Sequence, residues 1–186
     1  DVQAAFSASH HLLLGHGMAV RAMRAAAPKI EVGIVLNVGP GIPATDSDAD
    51  REAVRRHDMT DSGWFHDPLY FGTYPQEVID FSGVKMPIES DDMKIISEKL
   101  DWHGLNYYFP AKIGDDPTGD GARTTWNHID GPKTDMGWGM NAGVMRDFLI
   151  KLKDHWKAPK IYITENGSAW PDTIGADGGV HDQERE

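Results

Sequence analysis

Apolar residues recur along this chain with two alternating periods, and their alternation predicts helix, strand, helix, strand, helix, strand. In residues 2–27 Val2, Phe6, Leu13, Val20 and Met23 fall at helical spacing, and Pro28 closes the segment. Gly33-Ile34-Val35-Leu36-Asn37-Val38 is a short apolar run stopped by Gly39-Pro40-Gly41, the pattern of a buried parallel strand. A helix is predicted from about residue 48 to 58. Residues 64–75 are expected to form an aromatic, proline-punctuated loop, and Ser90 to cap a short helix over about 91–98. A second strand is predicted over residues 101–108, and a loop rich in Gly, Asp and Thr over 114–131. Residues 143–155 predict an amphipathic helix with Val144, Phe148, Leu149 and Leu152 inward, and Ala158-Pro159 leads into a strand at Ile161. Such alternation predicts α/β architecture with parallel strands laid side by side by right-handed crossovers.

The last of these strands carries the most pointed chemistry. In Ile161-Tyr162-Ile163-Thr164-Glu165-Asn166-Gly167, strict two-residue alternation puts Ile161, Ile163 and Glu165 on one face. A buried strand ending in a carboxylate at its C-terminal mouth is how barrel enzymes present catalytic groups. Asn-Gly is also a strong hairpin signal, so an ordinary strand-end charge is the competing reading. By the same parity Gly104, Asn106 and Tyr108 share a face, with Tyr107 turned toward the helices. Trp138 stands in a loop ahead of the third helix, where an indole offers a face to the C–H patches of a sugar ring. Asn37, at the end of its strand, is a weaker candidate for the same mouth. Glu77, Trp126 and Trp170 lie in loops near it and are not singled out.

Several stretches together resemble glycoside hydrolase family 1. They are His10-His11-Leu12-Leu13-Leu14-Gly15-His16-Gly17, Trp64-Phe65-His66-Asp67-Pro68-Leu69, Thr73-Tyr74-Pro75, Gly104-Leu105-Asn106-Tyr107-Tyr108, Thr134-Asp135-Met136-Gly137-Trp138, Ile163-Thr164-Glu165-Asn166-Gly167 and Val180-His181-Asp182-Gln183-Glu184-Arg185, in that family's order. The resemblance implies a (β/α)8 TIM barrel, present over residues 1–186 as a partial barrel of about three central βα units. It implies a retaining β-glucosidase, with Glu165 as nucleophile, Tyr108 donating its phenol to it, and Asn106, Trp138 and Asn37 lining the substrate site. The family's acid/base glutamate belongs to a Thr-Phe-Asn-Glu-Pro segment ahead of the double-histidine helix, and residues 1–186 contain none. The chain is therefore expected to be one domain fragment from the middle of a barrel, inactive by itself, that meets the remainder of the barrel or self-associates. After Trp138 the family pattern of a glutamate, an aromatic and a proline is replaced by Gly139, Asn141 and Ala142, which leaves the leaving-group side of the cleft open. Two other readings stand beside the β-glucosidase: a non-catalytic carbohydrate-binding or assembly fragment, and a 6-phospho-β-glycosidase.

Composition narrows the partners further. A net charge of −11, from 29 acidic and 18 basic residues, argues against nucleic acid and anionic membrane and for a neutral or cationic small molecule such as a β-glucoside or oligosaccharide. No apolar run approaches the ~18 residues of a membrane span. With no cysteine among 186 residues there is no disulfide framework or thiolate site, and a reducing, cytoplasmic setting is the expectation. The nine histidines lack metal-ligand spacing, and no metal or cofactor is implied.

Overall fold

In a computed structural model, which describes residues 1–181, the chain runs in order through α1 (Val2–Ala26), β1 (Gly33–Val38), β2 (Gly41–Pro43), α2 (Asp48–Asp58), a π-helical turn (Met59–Gly63), α3 (Trp64–Phe71), α4 (Gln76–Ser82), α5 (Asp92–Ile96), β3 (Trp102–Tyr107), β4 (Ala111–Asp115), β5 (Thr124–His128), α6 (Ala142–Asp154) and β6 (Lys160–Glu165). The Asp182-to-Arg185 part of the last family-like motif lies outside the described residues. The Asp1 carboxylate starts α1 by accepting from the Gln3 N–H at 3.0 Å, and Asn141 Oδ1 starts α6 by accepting from Val144 N–H at 3.2 Å.

The predicted strands β1, β3 and β6 form one all-parallel sheet in the order β1-β3-β6, part of a (β/α)8 barrel wall. Register partners across a parallel ladder point to the same side. One side faces the helices: Ile34 and Leu36 pack on the cluster of Leu13, Trp64, Leu69, Tyr74, Val78 and Ile96. Leu105 and Tyr107 pack with Phe148, Leu152 and Trp156. The opposite side presents Val35, Gly104 and Tyr162 in one row. Glycine at 104 is dictated by crowding, since a Cβ there would lie 2.7 Å from the Val35 side chain and 3.0 Å from that of Thr164.

Strict alternation fails at the end of β6. Ile161 pairs with His103 and Ile163 with Leu105, so both isoleucines share the helix-facing side, and Ile161 packs against the Leu105–Trp156 cluster. The register then slips between Leu105 and Asn106, and Asn106 pairs with Glu165 rather than Thr164. That one-residue irregularity carries Glu165 to the barrel-interior side, opposite Ile161 and Ile163.

Other expectations also give way. Residues 64–71 are helical, continuing the chain from α2 through the π-helical turn, and Gly72 ends α3 in the left-handed region at φ 69°. Ser90 does not cap α5, which is shorter than expected and starts after Asp91 with no side-chain cap. Within the expected loop over 114–131, β5 pairs antiparallel with β4, and β2 runs parallel to β4 in a second three-stranded sheet. That sheet packs Ala111 and Ile113 against Ala53 of α2.

Buried imidazoles fill the helix–sheet interface. His10 bridges Tyr74 Oη at 3.0 Å and Asp92 Oδ2 at 3.1 Å. His66 stacks on Trp156 with centroids 4.3 Å apart and lies 5.1 Å from His103, and both are fully buried. His66 Nδ1 donates to Ser62 O at 2.7 Å, and His103 Nδ1 lies 2.8 Å from Tyr70 Oη. Burial lowers the His66 pKa to about 3, with His103 beside it as a lesser cause, and burial lowers His103 to about 4.

Candidate active site

The C-terminal ends of the three parallel strands bring Asn37, Asn106 and Glu165 into one row, since Asn37 pairs with Asn106 and Asn106 with Glu165. Tyr108, just beyond β3 on the same side, donates its phenol to Glu165 Oε2 at 2.7 Å. This is the reach that the parity of β3 predicts. The hydrogen bond to a carboxylate raises the Tyr108 pKa, with some help from burial, so the phenol stays a donor at neutral pH. Thr164 Oγ1 donates to Asn106 Oδ1 at 2.7 Å, and Asn166 Nδ2 donates to Tyr107 O at 2.7 Å. Asn166-Gly167 therefore begins no hairpin; its asparagine ties the end of β6 to the end of β3.

Those two contacts are the part of the site that residue-by-residue reading missed. Thr164 follows the alternating pattern of an ordinary strand residue, and its contact with Asn106 exists because the register slip leaves it on the same side as Glu165. Asn166 was legible only as a turn residue.

Trp138 stands at the rim of this row. Its ring meets Tyr108 edge-on at 5.4 Å and Phe109 at 4.9 Å. The loop holding it is closed by Thr134 N–H to Trp138 O at 2.8 Å and by Gly137 at φ 76°, a conformation that favours glycine. Gly139 is required by close approach, because a Cβ there would fall 2.1 Å from Ile129 Cγ1. Asn141 and Ala142, where the sequence departs from the family pattern, line a cavity of about 560 Å³ with Tyr108, Met140, Met145 and Asn166. Glu165 is not in that wall. The carboxylate lies on the open interior face beside it, held by the hydrogen bond from Tyr108.

The side chains left aside by the sequence reading divide. Glu77 pairs with Arg55 at 2.6 Å, and Trp170 donates to Ser168 Oγ at 2.7 Å. Trp126, by contrast, joins the aromatic group at the mouth, 6.3 Å from Phe109 and 4.9 Å from His128. Gly39-Pro40-Gly41 is anchored by acids rather than shaped for phosphate: Gly39 N–H donates to Asp61 Oδ2 at 3.0 Å and Gly41 N–H to Asp58 Oδ1 at 2.9 Å.

Parallel barrel strands with a phenol-held carboxylate at their C-terminal mouth and an indole at the rim define the (β/α)-barrel class with its site in the usual place for that fold. The family follows from comparison: the sequence model of glycosyl hydrolase family 1 matches residues 1–186, and the chain belongs to that family. It is 40 % identical over 190 residues to a β-glucosidase of Agrobacterium sp., covering all of this chain and 41 % of that protein. The structure of virulence factor SghA of Agrobacterium tumefaciens with its substrate analog salicin superposes at TM-score 0.92 and 41 % identity, over all of this chain and 41 % of that one. A Thermotoga maritima β-glucosidase in complex with deoxynojirimycin superposes at TM-score 0.91 or close to it in its several solved forms, at 38 % identity, over all of this chain and 42 % of that one. The chain thus spans about two fifths of the length of the relatives it matches.

Proposed function

We propose that the protein containing this chain is a β-glucosidase that cleaves terminal β-D-glucosides with retention of configuration, Glu165 acting as nucleophile. The observation that carries this reading is the 2.7 Å hydrogen bond from Tyr108 to Glu165 Oε2 in the row Asn37–Asn106–Glu165. A retaining mechanism needs one carboxylate to attack the anomeric carbon and a second carboxyl ~5–5.5 Å away to protonate the departing oxygen. Glu165 suits the first role. Tyr108 occupies Oε2, which fixes the carboxylate plane and leaves Oε1 to form the glycosyl–enzyme bond. When water later breaks that bond, the phenol is already placed to receive the carboxylate it regenerates. Asn106, held by Thr164, and Asn37 supply amides for sugar hydroxyls, and Trp138 packs on a ring face.

The relatives favour this substrate class, being β-glucosidases and a protein solved with the substrate analog salicin. The second carboxyl group belongs, by the family resemblance, to a segment outside residues 1–186, so the 186-residue piece is inactive by itself in this reading. The outer edges of β1 and β6 have no strand partner among the described residues, and we place the remaining strands of the same barrel there.

The test is made in the full-length protein. Glu165→Gln is expected to lower kcat on a β-glucoside by several orders of magnitude without unfolding it. Azide added to Glu165→Gly should restore turnover of an activated glucoside and yield a product of inverted configuration. Near-normal hydrolysis by Glu165→Gln would end the assignment.

A further inference from the structure

Where the chain passes from the barrel sheet to the second sheet it leaves both ladders. The β1–β3 ladder ends at Val38 opposite Tyr107, the β2–β4 ladder begins at Gly41 opposite Ala111, and Gly39-Pro40 crosses between them. Pro40 brings no N–H to the crossing, and its carbonyl accepts from Ala111 N–H at 3.0 Å. The neighbouring backbone groups need partners of their own, since unbonded amides and carbonyls away from water are costly. Gly39 N–H donates to Asp61 Oδ2 at 3.0 Å, Gly39 O accepts from His57 Nε2 at 2.9 Å, and Gly41 N–H donates to Asp58 Oδ1 at 2.9 Å. All three side chains come from residues 57–61, at the end of α2 and in the π-helical turn Met59–Gly63. A π turn, closed by i→i+5 bonds, holds more residues than an α turn and spreads these carboxylates around the axis, one to each side of Pro40.

The two acids do different things. Asp58 faces the helices: its second oxygen meets Lys151 of α6 at 3.5 Å, and both line a cavity of about 190 Å³ with Val144 and Phe148. Asp61 stands on the mouth side, lining a cavity of about 180 Å³ with Asn37, Gly39 and Tyr108. Its Oδ2 also accepts from the hydroxyl of the fully buried Ser62 at 3.0 Å, so the carboxylate is itself held in place. Gly39 is pinned there, just past the end of β1 and close behind Asn37 in the chain.

We infer that Asp61 is a positioning residue for the glucosidase reaction: by holding Gly39 it fixes the end of β1, and with it the Asn37 amide in the row with Asn106 and Glu165. Pairing with Asn106 sets which side Asn37 faces, but the ladder stops at Val38 and leaves the rotation of the strand end to the crossing that follows. Asp61 touches no sugar in this role and acts through the backbone. The role rests on the glucosidase reading and adds to it a residue outside the barrel strands.

The test is a double-mutant cycle in the full-length protein, with kcat/KM for 4-nitrophenyl β-glucoside as the readout. Asn37→Ala should lower it about tenfold, the loss of a hydrogen bond to the sugar, and Asp61→Ala about fivefold. If Asp61 acts through Asn37, the double variant should lie within about twofold of Asn37→Ala alone, whereas independent effects would multiply to about fiftyfold. Asp61→Asn keeps an acceptor for Gly39 N–H and should stay within about twofold of the parent. Asp58→Ala, which frees Gly41 on the far side of Pro40, is the structural control: it should lower the urea midpoint while leaving kcat/KM within about twofold. Multiplied losses in the double variant, a parent-like Asp61→Ala, or an equal kinetic loss from Asp58→Ala would overturn the assignment to Asp61 while Glu165 keeps its role. A parent-like Asn37→Ala would overturn it together with the amide role of Asn37, and near-normal hydrolysis by Glu165→Gln would end the glucosidase reading itself.

Discussion

Acidification should destabilise this fold well above the pH at which carboxylates protonate, because His66 and His103 are buried together as neutral rings. Neither ring is exposed, their centroids lie 5.1 Å apart, and the Nε2 atoms of both have no hydrogen-bond partner among the described residues. Protonating either one would place a charge beside the other, and at His66 the Lys151 ammonium adds to the depression. The folded values, about 3 and about 4, lie far below the ~6.5 of an unfolded imidazole. A depressed folded pKa contributes stability that is present above the unfolded value and is lost as pH falls toward the folded one. From pH 7.5 to 5.5 the unfolded chain binds protons at both positions and the folded chain does not, a loss of about 1.4 kcal/mol per histidine and about 2.7 kcal/mol for the pair. Within this window the result is insensitive to how far below 5 the folded values lie.

Neighbouring groups can be separated from it. Asp50, Asp92 and Asp101 are held below the usual carboxylate range by hydrogen bonds, so their contributions are lost only at still lower pH. Burial raises Asp67, which favours the folded state on acidification and opposes the histidines. Urea unfolding at pH 7.5, 6.5 and 5.5 is the assay, comparing the unsubstituted protein with His66→Leu, His103→Leu and the double variant. Each single substitution should remove about 1.4 kcal/mol of this pH-dependent loss and the double variant about 2.7 kcal/mol. A double variant that loses stability between pH 7.5 and 5.5 as steeply as the parent would refute the reasoning.

Tyr108→Phe in the full-length protein removes one charge-assisted hydrogen bond, worth ~1.5–3 kcal/mol, and should lower kcat/KM for an aryl glucoside about 10- to 100-fold with the fold intact; wild-type kinetics would show that the phenol does not position Glu165. Gly17→Ala should destabilise by ~1–3 kcal/mol in a chemical melt, because its Cβ would lie 2.0 Å from the Ile95 carbonyl oxygen where α1 meets α5; a neutral result would mean that the two helices separate freely. The isolated 186-residue polypeptide exposes the flanks of β1 and β6 and the apolar side chains Val35, Tyr162 and Ile163. Light scattering at micromolar concentration should find it associated or aggregated, and a monodisperse 20.6 kDa monomer with cooperative unfolding would contradict this.

Periodicity by itself determined which segments become the three parallel strands and their flanking helices, since apolar spacing and breakers such as Pro28 and Gly39-Pro40-Gly41 act within a few residues of where they stand. It also determined that Asn106 and Tyr108 share a side of β3 and that Tyr107 turns to the helices, because β3 keeps its alternation to the end. Glu165 reaches the barrel-interior side for a different reason from the one alternation suggests. Ile161 and Ile163 face the helices, and the slip opposite Leu105/Asn106 turns the carboxylate inward, a feature of pairing between strands that no single strand displays. The helical state of residues 64–71 is decided by burial of Trp64, His66 and Leu69 against α1 and the sheet, which overrides the breaker Pro68 in its first turns. The β4–β5 hairpin was faintly legible in the strand-forming residues Thr124, Thr125 and Trp126, but its glycine- and aspartate-rich approach hid it. Only tertiary contact, by pairing β4 with β2 and packing Ile113 on α2, decided that the hairpin folds over the mouth and carries Trp126 to the rim of the site.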